Sequence, residues 1–173
     1  MNRKKDGTAR VYQDYRGLKP LLKSDSGGLG EMSRSVDGMK GATCYTSIEL
    51  ASGFTQLESA EKNKHETAFR DAHGTLWELN RCVFGLKTLP AGFAAFLGGV
   101  LGSLKGKGVQ NWLDDIIIYT QQVEAHLDLL RQVLDKLSIA GLSVNSSKSW
   151  WCCPQQEVCG HGCGYAGSAP FTV

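Results

Sequence analysis

Asp114 and Asp115 stand side by side in the run VQNWLDDIIIYT at 109–120. Adjacent carboxylates repel each other, and burial sharpens the repulsion. Aspartate is common in turns, so a plain polar hairpin turn is the competing reading. The flanks argue against it, because Trp112 and Leu113 precede the pair and Ile116, Ile117 and Ile118 follow it. Carboxylates held at the tip of an apolar hairpin suit a divalent cation, and hard oxygen ligands suit Mg2+. Two such ions, about 3.5–4 Å apart, support phosphoryl transfer by activating a hydroxyl nucleophile and stabilising the leaving group. A third carboxylate from another strand is needed to bridge two ions. Glu49 is the candidate, since it lies near the end of the alternating run CYTSIEL at 44–50. Taken alone, a glutamate at a strand end is an ordinary surface residue.

The elements that must position these groups are partly legible. SGF at 52–54 turns the chain after the Glu49 strand. ETAFRD and TLWELN flank Ala72-His73-Gly74 and read as a hairpin over 66–80. Pro90 opens a helix of about fifteen residues, because its missing N–H is unneeded in the first turn. Phe93, Leu97, Val100, Leu101 and Leu104 give that helix an apolar stripe, and Gly92, Gly98, Gly99 and Gly102 weaken it by about 1 kcal/mol each relative to alanine. The clearest helix follows the aspartate run, with Val123, Leu127, Leu130, Leu134 and Leu137 as its apolar face and Gly141 as its stop. LSV at 142–144 reads as the start of a strand, and the Trp- and Cys-rich tail after Lys148 has no clear period. At the other end, Asp6-Gly7 signals a turn in a short hairpin over 3–19, and SDSGGLGE at 24–31 reads as loop.

The whole chain has 173 residues, 42% of them hydrophobic and 21% charged, which fits one globular domain with a real core. Its net charge of +2 neither announces nor excludes a nucleic-acid binder. Positive charge is concentrated early: Arg3, Lys4, Lys5, Arg10, Arg16, Lys19 and Lys23 are opposed there only by Asp6 and Asp14. That cluster is either a solvated basic end or a phosphate-facing surface. No segment approaches the roughly 18 consecutive apolar residues that span a membrane, and residues 1–25 lack the apolar core of a signal peptide. The expectation is an intracellular, cytoplasmic protein that does not engage membranes and keeps its six cysteines reduced. Cys152, Cys153, Cys159, His161 and Cys163 supply donors for Zn2+, but their spacing lacks a usual C-x2–4-C pair. There is no H-E-x-x-H and no phosphate-cradling G-x-x-x-x-G-K-[ST].

Seven segments, in order, resemble the reverse transcriptase of gypsy-type LTR retrotransposons, relatives of retroviral polymerases. RKKDG…DYRGLK resembles the fingers segment, and YTSIELASGFTQL the first palm motif, L-D-L-x-S-G-[YF]. KHETAFRDAHG resembles the central hairpin and VFGLKTLPAGF the PFGLxNAPxxF motif. WLDDIIIY resembles the [YF]xDD box, HLDLLRQVLDKLSIAGLSVNSSK the following helix with its NPxKC end, and CGHGCGYAG the LGH primer-grip strand. The resemblance is collinear from about residue 2 to 167.

The resemblance implies an α+β fold of reverse-transcriptase fingers and palm, an antiparallel sheet backed by helices. Residues 1–40 and 60–88 would be fingers-like, and 41–59 and 89–167 palm, in a single domain over 1–173 without thumb, connection or RNase H parts. It implies RNA-directed DNA polymerase activity, with dNTPs and an RNA or DNA template–primer as partners and two Mg2+ ions, or Mn2+, as cofactors. The metal ligands and catalytic carboxylates would be Asp114, Asp115 and Glu49. Lys148 would protonate or neutralise the leaving pyrophosphate. Lys4 and Arg10 would reach the phosphates of the nucleotide, and Phe54 would be the steric gate beneath its sugar. Phe84 and Gly85 would line the nucleotide pocket, with Leu113 near the primer terminus. Nothing in the resemblance sets an oligomeric state.

The chain departs from that pattern in places. Glu49 stands where the family has aspartate, and the extra methylene displaces the carboxylate by about one C–C bond. A displacement of about 1 Å can cost around a hundredfold in rate. Ala9 stands where tryptophan is usual, SDSGGLGEM replaces a Tyr-Pro-Leu-Pro stretch, and SWWCCPQQEVCGHGCG departs from the primer-grip region. The alternative expectation is therefore a catalytically inactive retroelement remnant, acting as a nucleic-acid or protein binding module.

Overall fold

The computed structural model describes residues 2–3, 9–10, 14–18, 20, 39–86, 88–154, 156–158, 161–163 and 169–170. β1 (Asn2–Arg3) pairs antiparallel with β2 (Ala9–Arg10) in the register Asn2 to Arg10 and Arg3 to Ala9. The early hairpin is present but shorter than the expected span of 3–19: its strands end at Arg10, residues 16–18 form a turn, and Asp6-Gly7 lies outside the described residues. β3 (Cys44–Glu49) runs to the expected carboxylate, and a short 3-10 turn, Gly53–Gln56, follows it. A second 3-10 helix occupies Glu61–Thr67, and then come β4 (Phe69–Arg70) and β5 (Leu76–Trp77). The hairpin expected over 66–80 is therefore present with much shorter arms. Its turn is set by Asp71, whose Oδ1 accepts the N–H groups of His73 and Thr75, both at 2.9 Å.

α1 (Leu89–Leu101) starts one residue ahead of Pro90 and stops at Gly102, whose φ of 55° hands the chain to the 3-10 turn Gly102–Leu104. The helix expected to run to 104 is thus split in two. Its apolar stripe is where the spacing puts it: Phe93, Leu97, Leu101 and Leu104 are buried. β6 (Val109–Trp112) and β7 (Asp115–Thr120) form the aspartate hairpin, and α2 (Val123–Ile139) follows. α2 ends as expected at Gly141. With φ at 69°, the N–H of Gly141 donates to Ser138 O (3.0 Å) and that of Leu142 to Leu137 O (2.9 Å), so two orphan carbonyls are satisfied.

The buried face of α2 differs from the sequence expectation. Val123 and Leu127 are about half exposed, at 53% and 48%, while His126, Val133 and Leu137 are buried and Leu129, Leu130 and Leu134 pack beside them. The stripe is rotated because His126, a polar residue, occupies a core position; its two ring nitrogens both find hydroxyl partners. LSV at 142–144 forms no strand: Leu142 joins the core and Val144 makes an isolated bridge to Leu50. The tail that showed no period is strand-rich, with β8 (Trp150–Cys153), β9 (Gln156–Val158), β10 (His161–Cys163) and β11 (Ala169–Pro170).

Four strands make the main sheet, in the order β6-β7-β3-β8 and antiparallel throughout. Ile48, Ile116 and Ile118 point to one face and pack with Phe93, Leu97 and Leu101 of α1 and Val133 and Leu137 of α2. Alternation sends Tyr45, Ile117 and Tyr119 to the other face, under Met39 and Ala42. The Tyr45 hydroxyl donates there to the carbonyls of Met39 and Ala42 (3.0 and 3.1 Å). Glu49 and Asp115 have the same parity as Tyr45 and Ile117, so they lie on the face away from the helices. Among the described residues, no helix is long and apolar enough to cross a membrane.

Candidate active site

The β6–β7 hairpin closes with Trp112 paired to Asp115, which leaves Leu113 and Asp114 as a two-residue turn. Two-residue hairpin turns need positive φ, usually supplied by glycine. Here Leu113 supplies it, at 54°. A non-glycine residue held in that region costs on the order of 1–3 kcal/mol and persists where its surroundings fix it. The strain thus sits at the tip that presents Asp114.

Across the ladder, Glu49 pairs directly with Asp115. Directly opposed residues on one face of an antiparallel pair have Cβ atoms about 4.5–5.5 Å apart. The consequence is electrostatic: the Asp115 carboxyl is pushed up to about 6, first by burial and then by the charges of Asp114 and Glu49. A site that penalises its own negative charge in this way is one that a cation would stabilise.

Lys148 enters from the turn after Val144. The Glu49 carbonyl accepts Asn145 N–H (2.8 Å), and the Glu49 N–H donates to Ser149 Oγ (3.1 Å), whose hydroxyl donates to Asn145 O (2.7 Å). This clasp wraps residues 145–149 round the end of β3 and brings Lys148 Nζ to 2.9 Å from Glu49 Oε1. The oxygens of Glu49, Asp114 and Asp115 do not all close to within 4.8 Å of one another; among the described residues only Cys44, His126 and Cys152 form a group of three or more donors that tight.

Beside the carboxylates, the chain leaves β3 through Ser52, at φ 53°, into the turn that carries Phe54. The Phe54 ring meets Phe84 edge-on at 5.2 Å and Phe93 at 5.1 Å. Phe93 is fully buried, so Phe54 rests on the core while staying half-buried itself. Gly85, at φ 122°, follows Phe84. Gly53 joins the two halves of the site: a Cβ there would stand 3.0 Å from Phe93 Cζ and 3.5 Å from Asp114 Cβ.

The structure therefore brings Glu49, Asp114, Asp115 and Lys148 to one end of the sheet and places Phe54 against Phe84 next to them. Lys4 lies outside the described residues. Arg10 lies in β2, but its side chain is not described, and the same holds for His161 and Cys163 of the tail, with Cys159 outside altogether. Sequence reasoning passed over Gly53 and Phe93, treating the first as a turn residue and the second as plain core. The signal for both was membership of a quoted segment, Gly53 in YTSIELASGFTQL and Phe93 at the end of VFGLKTLPAGF.

The four-stranded antiparallel sheet, the carboxylate hairpin at its end and the two helices behind it define a polymerase palm. Residues 2–163 match the family model for "Reverse transcriptase (RNA-dependent DNA polymerase)". The chain belongs to the reverse transcriptase family, as a domain of the kind carried by LTR retrotransposons. It is 32% identical over 152 residues to the "Retrovirus-related Pol polyprotein from transposon opus" of Drosophila melanogaster, covering 88% of this chain and 15% of that protein. It is 30% identical over 145 residues to the "Transposon Tf2-3 polyprotein" of Schizosaccharomyces pombe, covering 84% of this chain and 11% of the relative. The chain thus spans only a small part of these curated relatives. Among solved structures, a foamy viral protease-reverse transcriptase in complex with double-stranded DNA superposes with a TM-score of 0.88 at 23% identity, over 99% of this chain and 30% of that one. That likeness establishes the fold, α+β with reverse-transcriptase fingers and palm.

Proposed function

We propose that this domain adds dNTPs to a primer under the direction of an RNA or DNA template, with Glu49, Asp114 and Asp115 as its metal-binding carboxylates. The observation that carries the reading is the cross-strand pairing of Glu49 with Asp115 beside the strained Leu113–Asp114 turn. The donor set fits a hard divalent cation, since it is all oxygen, and burial followed by repulsion within the set already raises Asp115. When bound, two Mg2+ or Mn2+ ions would activate the primer 3′-hydroxyl and stabilise the leaving pyrophosphate.

The remaining work falls to the chain's own residues. Lys148 supplies a cation and a proton donor next to Glu49, placed to neutralise a leaving pyrophosphate. Phe54, wedged between Phe84 and Phe93, has a fixed ring that excludes a 2′-hydroxyl by volume. Phe84 and Gly85 line the nucleotide pocket, Leu113 packs near the primer terminus, and Lys4 and Arg10 contact nucleotide phosphates, Arg10 in bidentate fashion. The structural neighbours in complex with double-stranded DNA and with an RNA/DNA hybrid support a duplex partner here. Such a duplex would be held mainly through its phosphates, with strong salt dependence.

A second reading, a nucleic-acid binding module without catalysis, rests on the 2.9 Å pair between Glu49 and Lys148, which engages one oxygen of the third carboxylate. Primer extension on an RNA template with Mg2+ or Mn2+ separates the two. Extension that is lost in Asp115→Asn supports the enzyme. Duplex binding without extension, in both the natural chain and Glu49→Asp, supports the module.

A further inference from the structure

At the other end of β3 from Glu49, three soft donors from three elements converge. Cys44 of β3, His126 of α2 and Cys152 of β8 place one ligand atom each within 4.8 Å of one another. Cys44 and His126 are buried, and Cys152 is exposed. Five residues along a strand separate Cys44 from Glu49, roughly 17 Å, and the parity of Cys44 puts it on the helix side of the sheet. This group is therefore separate from the carboxylates.

Two details show that the convergence is built. First, β8 carries a bulge. Tyr45 pairs with Cys153 and Ser47 with Trp150, so the β8 side has one residue more than the β3 side between these pairs. Cys152 sits in the bulge with φ at 49°. Bulges re-aim a side chain, and a non-glycine residue in the left-handed region is strained. The strain is held by a hydrogen bond from Cys152 N–H to Thr46 Oγ1 (3.1 Å).

Second, the imidazole has its tautomer fixed. The Thr120 hydroxyl donates to Gln122 O (3.0 Å), so its oxygen is left to accept from His126 Nδ1–H (3.0 Å). Nε2 is then the unprotonated nitrogen, and it accepts from the Thr46 hydroxyl at 2.7 Å. A histidine whose far N–H is tied to an oxygen while the near nitrogen stays basic is arranged as metal-ligating histidines are.

The geometry points to a Zn2+ site formed by Cys44 Sγ, His126 Nε2 and Cys152 Sγ, with Thr120 orienting the imidazole and solvent at the fourth position. Thiolate and imidazole donors select zinc over hard cations, and four-coordination suits three protein ligands plus water on the exposed Cys152 side. Binding releases the two thiol protons and displaces the Thr46 hydroxyl from Nε2; no redox step is involved. The ion would tie β3, α2 and β8 together behind the palm. The site does not depend on whether the carboxylates catalyse anything.

The test is metal content and Co2+ spectroscopy on the full chain, purified under reducing conditions and dialysed against zinc or cobalt alone. The expected result is one zinc ion per chain and a cobalt form with a thiolate charge-transfer band. Cys44→Ser and Cys152→Ser should each lose most of that band. Thr120→Val, which leaves every ligand in place, should weaken zinc about 10–100-fold. Cys82→Ser and the tail pair Cys159→Ser with Cys163→Ser should change nothing. Should Cys44→Ser fail to fold, Thr120→Val and Cys152→Ser still decide. A natural chain that retains no zinc overturns the site. So does a cobalt band that survives Cys152→Ser or disappears in the tail pair.

Discussion

Lys148 Nζ stands 2.9 Å from Glu49 Oε1, and the clasp that brings it there uses the backbone of Glu49 itself. The third carboxylate is therefore already partnered by a cation from the chain, and a divalent ion must share it or displace the ammonium. Both side chains are open to solvent, Lys148 at 61% and Glu49 at 35%, so the pair contributes at most about 1 kcal/mol to stability. Lys148→Met is expected to move the urea midpoint little while tightening Mn2+ binding, measured by calorimetry on the free domain. Weaker Mn2+ binding in the variant would mean that Lys148 does not compete for Glu49.

The metal-free domain should carry a pH-dependent penalty at Asp115. Its carboxyl is raised to about 6, against about 3.9 in an unfolded chain. The folded state thus binds the proton more tightly, and stability falls as pH rises through that window. The penalty is absent below about pH 4 and complete above about pH 6. Because Asp115 remains partly open to water, its size is about 1–2 kcal/mol. Urea unfolding across this range should show the fall, and it should vanish in Asp115→Asn. Saturating Mg2+ should offset it in the natural chain.

Gly53→Ala should damage the site out of proportion to its size. The added Cβ meets Phe93 Cζ at 3.0 Å, and Phe93 is fully buried and cannot retreat. A cost of about 1–3 kcal/mol is expected from overpacking. The same Cβ lies 3.5 Å from Asp114 Cβ, so nucleotide addition should fall further than the loss of folded protein explains. Unfolding curves and activity measured on one preparation make the comparison.

Gly92 and Gly99 are the opposite case. Both are exposed in α1, and a Cβ at either meets nothing within 4 Å. Alanine at each should stabilise the domain by about 0.5–1 kcal/mol. Unchanged or lowered melting temperatures would show that α1 does not limit stability.

The parts of the fold that the sequence disclosed are those where a local rule is strong. Asp114-Asp115 between apolar segments marked the hairpin, Pro90 the start of α1 to within one residue, and Gly141 the end of α2. The parts it concealed depend on distant partners. The face of α2 was misjudged because His126 is buried only when Thr46 and Thr120, from two other strands, are there to satisfy it. β8 was not seen because its bulge at Cys152 destroys the alternation by which a strand is recognised. The convergence of Cys44, His126 and Cys152 has no spacing signature at all. Glu49 was legible as a carboxylate at a strand end, but its pairing with Asp115 is a matter of register, and Lys148, placed at the site by resemblance to the NPxKC motif, reaches Glu49 through a backbone clasp that has no local signature.

Single-nucleotide extension of a DNA primer on an RNA template, in saturating Mg2+, decides whether Glu49, Asp114 and Asp115 support nucleotide addition. The natural chain should add slowly, Asp115→Asn not at all, and Glu49→Asp up to about a hundredfold faster than the natural chain, as the carboxylate returns by about one bond length. Failure of both the natural chain and Glu49→Asp to extend the primer, with both folded and bound to the duplex, would contradict that role for the three carboxylates.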